Sequence, residues 1–377
     1  MGVRFAVLST YPSTQCGIAT FAEALVTHLQ RVGAHVGVVR IVDEPEQSTL
    51  PVVHQWVTGR PHGARDTALV LDGYDVAIIQ HEFGIFGGPD GADVLDVVRH
   101  LNVPVVSVLH TVLTDPTANQ HRVMAALCEA SSALVTMTET ARRRLISGWG
   151  VSPERVVVIA HGAEDNHADP LAVGEAATGR PTILTWGLLG EGKGIEWALL
   201  ALAELRDVVP SPVYRIVGQT HPRVLEREGE AYRDKLVALV KDLDLVSAVR
   251  FDARYLSGPA LRGIVRDADV IMLPYDSRDQ VTSGVLTEAV VAGKPVVSTS
   301  FPHAVELLSG GAGLLVPQRD PAALAAALRR VLTEVGLAER MAATSRGLAA
   351  SLLWPAVAGE YLALGRSLRA SPTRSVA

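Results

Sequence analysis

Residues 270–299, VIMLPYDSRDQVTSGVLTEAVVAGKPVVST, decide the fold and hold the most informative side chains. The apolar run at the start of this stretch predicts a buried strand, and the apolar run at its end predicts a second one. Between them, Ser283 is a typical N-cap and Gly293 a typical helix stop, so we expect a short helix at about 284–292. A strand, a helix and a strand in this order predict a βαβ unit of a parallel sheet.

The predicted helix of this stretch is apolar on nearly every side, and Glu288 is its one ionisable side chain. A helix of that kind is mostly buried, and a buried carboxylate needs a hydrogen-bond donor to offset its desolvation. At the helix start, the backbone amides of Gly284, Val285 and Leu286 have no partner inside the helix and favour an anion. The stretch therefore predicts a phosphate site with an acceptor for a ribose hydroxyl one turn deeper. The alternative is a glutamate that is satisfied within the core of an ordinary βαβ unit.

The composition excludes several classes of protein. The chain has 377 residues, of which 48% are hydrophobic, enough for two domains with large cores. The net charge of −6 argues against a general binder of nucleic acid. Because Cys16 and Cys128 are the only cysteines, we expect no disulfide framework and a reduced, cytoplasmic setting.

No stretch of the sequence predicts insertion into a membrane. The first 30 residues hold no signal-peptide core, and no apolar run is long enough to span a bilayer. The basic run Arg142–Arg144 is typical of a solvated helix face. The alternative for that run is a peripheral contact with a membrane surface.

Apolar strands alternate with amphipathic helices along the whole chain. In the first half we predict strands at 4–10, 35–42, 52–57, 74–80, 103–110, 131–137 and 155–161. In the second half we predict strands at 182–187, 213–218, 249–255, 270–274, 296–299 and 313–316, with one long helix at about 222–243. This α/β alternation predicts two parallel sheets that are covered by helices on both faces, as in Rossmann-like domains.

Residues 162–180 interrupt the alternation with Gly, Asp and Asn, and we interpret them as an inter-domain linker. The expected division of the chain is an N-terminal domain at 1–165, a C-terminal domain at 166–350, a closing helical segment at 351–370 and a frayed tail at 371–377.

Polar side chains at the carboxyl ends of parallel strands mark the usual ligand edge of such a sheet. Three histidines stand at predicted strand ends in the first half: His81, His110 and His161. A single one is more often structural than catalytic, but three at one edge favour a functional site. His81 and Glu82 begin the pattern of a zinc-binding helix, but Ile85 replaces the second histidine of that pattern.

The turn at 187–194, GLLGEGKG, lies between a predicted strand and a predicted helix. It matches the loop of P-loop NTPases from Gly187 to Lys193, but Gly194 stands where that loop needs Ser or Thr to hold Mg²⁺. We therefore expect a glycine-rich turn that places Lys193 over a helix N-terminus, where it suits a phosphate. The alternatives are an exposed lysine on a turn and a P-loop-like NTPase.

Two Asp-x-Asp pairs, Asp242 with Asp244 and Asp267 with Asp269, have the spacing of metal ligands in some sugar-nucleotide enzymes. Neither pair lies at the expected carboxyl edge of a strand, and a chain with many aspartates contains such pairs by chance. We assign no metal and no other cofactor.

Taken together, these features resemble glycosyltransferase family 4, whose members are retaining enzymes of the two-domain GT-B fold. The segments that carry the resemblance are STYPSTQCGIATFAEAL, SVLHT, VVVIAHGAED, TWGLLGEGKGIEWAL and ADVIMLPYDSRDQVTSGVLTEAVVAGKPVVST. The resemblance covers nearly the whole chain and is strongest from about 182 to 320. It implies two Rossmann-like domains that face each other across a cleft. The closing stretch Trp354–Leu368 is similar to the family's helix that crosses back onto the first domain.

The resemblance also implies roles for individual residues. His110 matches the strand-end histidine that touches the donor sugar, Lys193 the lysine that binds the donor pyrophosphate, and Glu288 the second acid of the family's glutamate motif. The further donor-binding positions that we assign are Gly17, Gly187, Asp279, Gln280, Ser283, Gly284, Val285 and Leu286.

Two positions depart from the family pattern. The family usually has an arginine shortly before the lysine, where this chain has Leu188 or Leu189, and Arg254 is our candidate for the missing charge. The first acid of the glutamate motif falls on Gln280, beside Asp279, as in a branch of the family with a Gln-x-x-Ser-Gly form.

The implied function is the transfer of a sugar from a nucleoside-diphosphate sugar to an acceptor hydroxyl, with retention of configuration and without a metal ion. The implied acceptor is a saccharide, a lipid-linked molecule or a small molecule. The altered first acid and the missing arginine motivate the main alternative, a catalytically degenerate protein that binds sugar nucleotides.

Overall fold

The computed structural model describes residues 2–166 and 179–370, which belong to two compact units. The first unit combines Met1–Gly162 with Trp354–Ala377, and the second unit is Ala163–Leu353. Most of the predicted linker at 162–180 and the whole predicted tail at 371–377 lie outside the described residues.

The first unit is built on a parallel sheet. Its described strands are β1 (Arg4–Ser9), β2 (His35–Val42), β3 (Val52–Val57), β4 (Val76–His81), β5 (Val105–Leu109), β6 (Ala133–Thr136) and β7 (Val156–Val158). They pair in the order β3-β2-β1-β4-β5-β6-β7, and each pair is parallel. All these strands occur where the apolar runs predict them, although most are shorter by a few residues.

Helices from both ends of the chain cover this sheet. They are α1 (Gly17–Arg31), α2 (Gly63–Leu71), α3 (Val94–Val98), α4 (Ala118–Ala130), α5 (Glu139–Trp149) and, after the whole second unit, α14 (Trp354–Ala370). Helices α1 and α14 pack on each other and on one face of the sheet, where Phe21 and Trp354 join one apolar core with Phe5 of β1. Helix α14 therefore completes the first unit, although the whole second unit precedes it in the sequence.

The second unit repeats the architecture. Its described strands are β8 (Thr182–Trp186), β9 (Val213–Val217), β10 (Val249–Asp252), β11 (Val270–Leu273), β12 (Val296–Thr299) and β13 (Gly313–Val316). They pair in the order β10-β9-β8-β11-β12-β13, again all parallel. The helices are α6 (Ile195–Ala203), α7 (Pro222–Glu228), α8 (Ala231–Asp242), α9 (Gly258–Asp267), α10 (Gly284–Val291), α11 (Pro302–Leu308), α12 (Pro321–Thr333) and α13 (Leu337–Leu352).

One predicted helix is wrong in its extent. The pattern at 222–243 predicts a continuous helix, but the structure has α7 and α8 with a break at Gly229. Gly229 has a φ of +63° and a ψ of −143°, a non-helical conformation that glycine adopts most readily. The glycine caps α7 because its amide donates to the carbonyl of Leu225.

Both units have the strand order of a doubly wound Rossmann-like sheet, and the predicted fold class is confirmed in its two parallel α/β domains. None of the helices in the described part of the chain combines the length and the hydropathy that a membrane span requires.

Candidate active site

The strand order of the second sheet reverses between β8 and β11, which are neighbours. In sheets of this type, ligands bind beyond the carboxyl ends of the strands at the point of reversal. The turn with Lys193 follows β8, and the loop that leads to α10 follows β11. The amide of Asp276 donates to the carbonyl of Gly192 at 2.9 Å, so the two segments are in direct contact.

Lys193 is a half-buried cation beside an aromatic ring. Its Nζ lies 4.5 Å from the ring centroid of Tyr275, in cation–π geometry. No described residue forms an ion pair or a hydrogen bond with this Nζ, and burial lowers the pKa of Lys193 to about 8. A desolvated ammonium group without a counter-ion favours the binding of an anion.

Glycines give the turn before Lys193 its shape. Gly187, Gly192 and Gly194 all have positive φ, between +66° and +123°. A Cβ on Gly194 would lie 1.8 Å from the carbonyl oxygen of Pro274. The Ser or Thr that a P-loop needs at this position therefore cannot fit, so the structure disfavours the NTPase alternative.

The start of α10 confirms the predicted N-cap and corrects one predicted donor. The Oγ of Ser283 accepts a hydrogen bond from the amide of Leu286 at 3.2 Å, so the prediction of a free Leu286 amide is wrong. An N-cap side chain takes the amide of the third helical residue for its own hydrogen bond. Among the described residues, the amides of Gly284 and Val285 have no partner.

Ser283 is fixed from a second direction, because its amide donates to Nδ1 of His303 at 2.8 Å. The helix start also touches the lysine turn. A Cβ on Gly187 would lie 3.7 Å from Cγ2 of Val285, an ordinary van der Waals contact. The lysine turn and the two free amides therefore lie at one edge of the second sheet.

Glu288 lies one turn further into α10 and is half-buried. Its Oε2 accepts a hydrogen bond from the indole Nε1 of Trp186, the last residue of β8, at 3.3 Å. Desolvation raises the pKa of Glu288 to about 7. Among the described residues no donor reaches Oε1, so that oxygen can accept a hydrogen bond from a ligand hydroxyl.

Tyr275 connects the lysine to the glutamate. Its side chain is buried, and burial raises the pKa of its hydroxyl group, with a further contribution from the negative charge of Glu288. The ring therefore has Lys193 over its face and its hydroxyl group within electrostatic range of Glu288.

The remaining predicted site residues of the second unit are Gln280, Asp279 and Arg254. The Nε2 of Gln280 donates to the carbonyl of Thr282 at 3.1 Å, which shapes the loop before Ser283. Asp279 is half-buried in the same loop. Arg254 is 73% exposed and forms an ion pair with its neighbour Asp252 at 2.6 Å, so its charge is already compensated.

In the first unit, the three predicted histidines lie at the same edge of the sheet. His81 ends β4, His110 follows β5, and His161 lies beyond β7. The ring of Phe21 is 5.0 Å from the ring of His110 and 4.9 Å from that of His161, edge to face in both pairs. Burial lowers the pKa of all three histidines, to about 3 for His110 and about 4 for the other two. All three rings are therefore neutral at pH 7.

His110 is oriented by a side chain from the neighbouring strand. Its Nε2 and Oε1 of Gln80 are 2.7 Å apart. Near this edge, Gly17 begins α1 directly after the N-cap Cys16. Gly17 is exposed, and a Cβ there would point into open space. Crowding within the unit therefore does not require a glycine at this position, whereas a closely approaching ligand would.

The described residues contain no group of three or more His, Cys, Asp or Glu side chains that could hold a metal ion. The sequence reasoning missed Trp186 and Tyr275, which contact Glu288 and Lys193 across more than 80 residues of chain. The signal that could have revealed them was their position, since each stands at or just beyond the carboxyl end of an apolar strand.

Sequence comparisons assign both halves of the chain to glycosyltransferase families. Residues 16–167 match the family described as "Glycosyltransferase Family 4", and residues 180–334 match "Glycosyl transferases group 1". The chain is 28% identical to a glycogen synthase of Mycobacterium tuberculosis over 288 residues, which are 72% of this chain and 66% of that protein. It is 31% identical to a D-inositol 3-phosphate glycosyltransferase of Kineococcus radiotolerans over 256 residues, 63% of this chain and 58% of that protein.

Among solved structures, Anabaena HepE, determined in complex with UDP and glucose, has the same fold. Its TM-score is 0.78 at 16% identity, over 97% of this chain and all of that one. The chain aligns with less than two thirds of the length of the two curated relatives above. The two family matches, together with the fold, place the protein among the glycosyltransferases of the GT-B type.

Proposed function

We propose that the protein transfers a sugar from a nucleoside-diphosphate sugar to an acceptor hydroxyl, with retention of configuration. The observation that carries the proposal is the half-buried, uncompensated Nζ of Lys193 at the same sheet edge as the free amides of Gly284 and Val285. A cation and two unpaired backbone donors suit a diphosphate. Retention rests on the resemblance to family 4.

In this proposal, Lys193 and the two amides stabilise the charge that develops on the leaving diphosphate. One well-placed donor of this kind commonly contributes about 3 kcal/mol to the stabilisation of a transition state. The bond between the sugar C1 and the diphosphate oxygen breaks, and a bond between C1 and the acceptor oxygen forms on the same face. The proton of the acceptor hydroxyl passes to the departing diphosphate. We propose that no divalent ion takes part, because Lys193 supplies a positive charge and the two amides supply hydrogen bonds.

The other residues have binding roles in the proposal. Glu288 accepts a hydrogen bond from a ribose hydroxyl through Oε1, while Trp186 holds its Oε2. His110 and Gly17 of the first unit act at the sugar. Asp279 and Gln280 orient the sugar from the loop before α10. Leu286 and Arg254 have no donor contact in this proposal, because the amide of Leu286 donates to Ser283 and the guanidinium group of Arg254 is paired with Asp252.

The comparisons support the donor class without naming the donor of this chain. HepE was solved with UDP and with UDP-glucose, and the curated relatives are named for transfer to a glycan and to an inositol phosphate. The acceptor in this proposal is a saccharide, a lipid-linked molecule or a small molecule.

A thermal-shift panel with UDP, GDP, ADP and TDP tests the donor class first. The nucleotide that binds the native state raises the melting temperature with its concentration, and the others do not. The matching sugar nucleotides are then incubated with the protein, and release of the free nucleoside diphosphate is followed with and without candidate acceptors. Acceptor-dependent release supports transfer. Binding of a nucleotide without any release supports the degenerate binding protein instead.

A further inference from the structure

Gln80 is a buried polar side chain near the carboxyl end of β4, directly before His81. It lies in β4, its side chain is completely buried, and its Oε1 is 2.7 Å from Nε2 of His110. The register pairs Gln80 with Val108 of β5. Because side chains alternate along a strand, the side chains of Val108 and His110 point to the same face, so the sheet itself directs Gln80 to the histidine.

The contact selects one form of the histidine ring. The Gln80 amide is assigned with its oxygen facing Nε2 of His110, and because an amide oxygen can only accept a hydrogen bond, this orientation places the ring proton on Nε2. A neutral imidazole carries a single ring proton, which leaves Nδ1 with its lone pair. The described residues give Nδ1 no partner, and this nitrogen is not one of the atoms enclosed in the core. It is therefore open to a ligand.

The surroundings of His110 keep the ring neutral. Burial is the main cause of its low pKa, and the titratable groups that act on it are His161 and His81. Phe21 of α1 contributes an uncharged ring edge. A neutral ring can accept a hydrogen bond at Nδ1, whereas an imidazolium ion cannot.

Gln80 is a costly residue for a purely structural position. Its Nε2 is buried without a partner among the described residues. An unpaired buried amide typically costs about 1–3 kcal/mol of stability. A leucine or valine would remove the unpaired amide but would leave Nε2 of His110 without its acceptor, so the contact with the histidine explains the glutamine better than packing does.

We propose that Gln80 is a positioning residue, which holds His110 as the Nε2–H tautomer so that Nδ1 accepts a hydrogen bond from a hydroxyl of the transferred sugar. The ligand part of this proposal rests on the proposed function, whereas the tautomer does not.

The tautomer is tested by NMR on the full chain labelled with ¹⁵N-histidine. His110→Ala identifies the signal of this ring, and two-bond ¹H–¹⁵N correlations report which nitrogen carries the proton. We expect a protonated Nε2 with a slowly exchanging proton in the wild type. We expect Gln80→Leu to lose the slow exchange and Gln80→Glu, which keeps an acceptor oxygen, to retain it. A ring that is protonated on Nδ1 in the wild type would overturn the proposal.

The functional part is tested by the steady-state kinetics of the same variants at pH 8. We expect Gln80→Leu to lower kcat about tenfold, as for the loss of one hydrogen bond, with KM for the donor changed less than twofold. Gln80→Glu should keep most of kcat. Equal losses in both variants, or an unchanged kcat in Gln80→Leu, would overturn the proposal.

The control is Gln30→Glu, the same change at an exposed glutamine near the far end of α1, which we expect to leave kcat and the His110 signal unchanged. If Gln80→Leu does not fold, the spectra of the wild type and of Gln80→Glu still decide which tautomer His110 adopts. A wild type without any transfer would contradict the proposed function, while the NMR result would stand by itself.

Discussion

Lys193 is the residue on which the proposed chemistry depends most. We expect Lys193→Met, which keeps the apolar stem over Tyr275 but removes the charge, to lower kcat by about 10²–10³. The same variant should bind the nucleoside diphosphate more weakly, because the anion loses its counter-charge. Initial rates and titration calorimetry measure the two effects.

The matched control for this variant is Lys241→Met, on the exposed surface of α8. It removes the same charge from the same unit, and we expect unchanged rates and affinity. Normal turnover in Lys193→Met would show that the half-buried ammonium group has no part in the reaction.

Glu288 makes the stability of the ligand-free protein depend on pH. The pKa of Glu288 is about 7 in the folded state, above its ordinary value of 4.5. The folded state therefore binds the proton more tightly, and the stabilisation from this group is complete below about pH 4.5 and is lost as the pH rises through 7. Glu288→Gln stays neutral and should not lose it. We expect the melting temperature of Glu288→Gln to rise relative to wild type between pH 5 and pH 8 in calorimetry.

A difference in melting temperature that is constant across this pH range would contradict the raised pKa. At pH 8 we also expect Glu288→Gln to bind nucleotides more weakly, since a neutral amide accepts a ribose hydrogen bond less strongly than a carboxylate does.

At the scale of single residues, the sequence predicted which strand ends carry polar side chains, but not the hydrogen-bond and ion-pair partners of those side chains. Ser283 was recognisable as an N-cap, and that prediction already implied that the amide of Leu286 would be occupied. The contact of Trp186 with Glu288 was not predictable, because it depends on β8 and β11 being neighbours. The exposure of Arg254 depends on the loop after β10, which has no periodic pattern.

At the scale of elements, two helix caps in the second unit allow an effect on folding stability to be distinguished from an effect on nucleotide binding. Ser283 caps α10, and Asp320 caps α12 by accepting a hydrogen bond from the amide of Ala323 at 2.9 Å. We expect Ser283→Ala and Asp320→Ala each to lower the free energy of unfolding by about 1 kcal/mol, measured in urea. Nucleotide affinity should fall only in Ser283→Ala, since α10 carries the free amides.

Equal loss of nucleotide affinity in both cap variants would indicate a general effect of stability on binding.

The positions of helices and strands were largely predictable from the sequence, because apolar runs and caps are local signals. The break between α7 and α8 was not predicted, although Gly229 marks it in the sequence. A glycine inside a helical pattern is tolerated in many helices, so its presence alone does not predict a break.

At the scale of the whole molecule, Trp354 connects the last helix to the first unit. It is buried, its ring lies 5.1 Å from that of Phe21, and a Cβ on Gly162 would lie 2.2 Å from the indole. We expect Trp354→Ala to cost about 3–5 kcal/mol of stability. Hydrogen exchange followed by mass spectrometry should show lost protection in β1, β4 and α1, with protection retained in β8 to β13.

Lost protection in both units to the same degree would mean that they unfold as one body.

The alternation of strands and helices was sufficient to predict two parallel sheets. Periodicity alone could not assign α14 to the first unit, since its partner Phe21 lies more than 300 residues away in sequence. That expectation came from the family resemblance.

The membership of α14 in the first unit has a consequence for synthesis on the ribosome. When the nascent chain has emerged as far as Gly162, the strands of the first sheet exist, but the helix that covers Phe5 and Phe21 has not been translated. The whole second unit is made in between and can fold before the first one is finished. A premature stop codon before Trp354 would therefore leave the first unit with an open apolar face, as a substrate for chaperones and proteases.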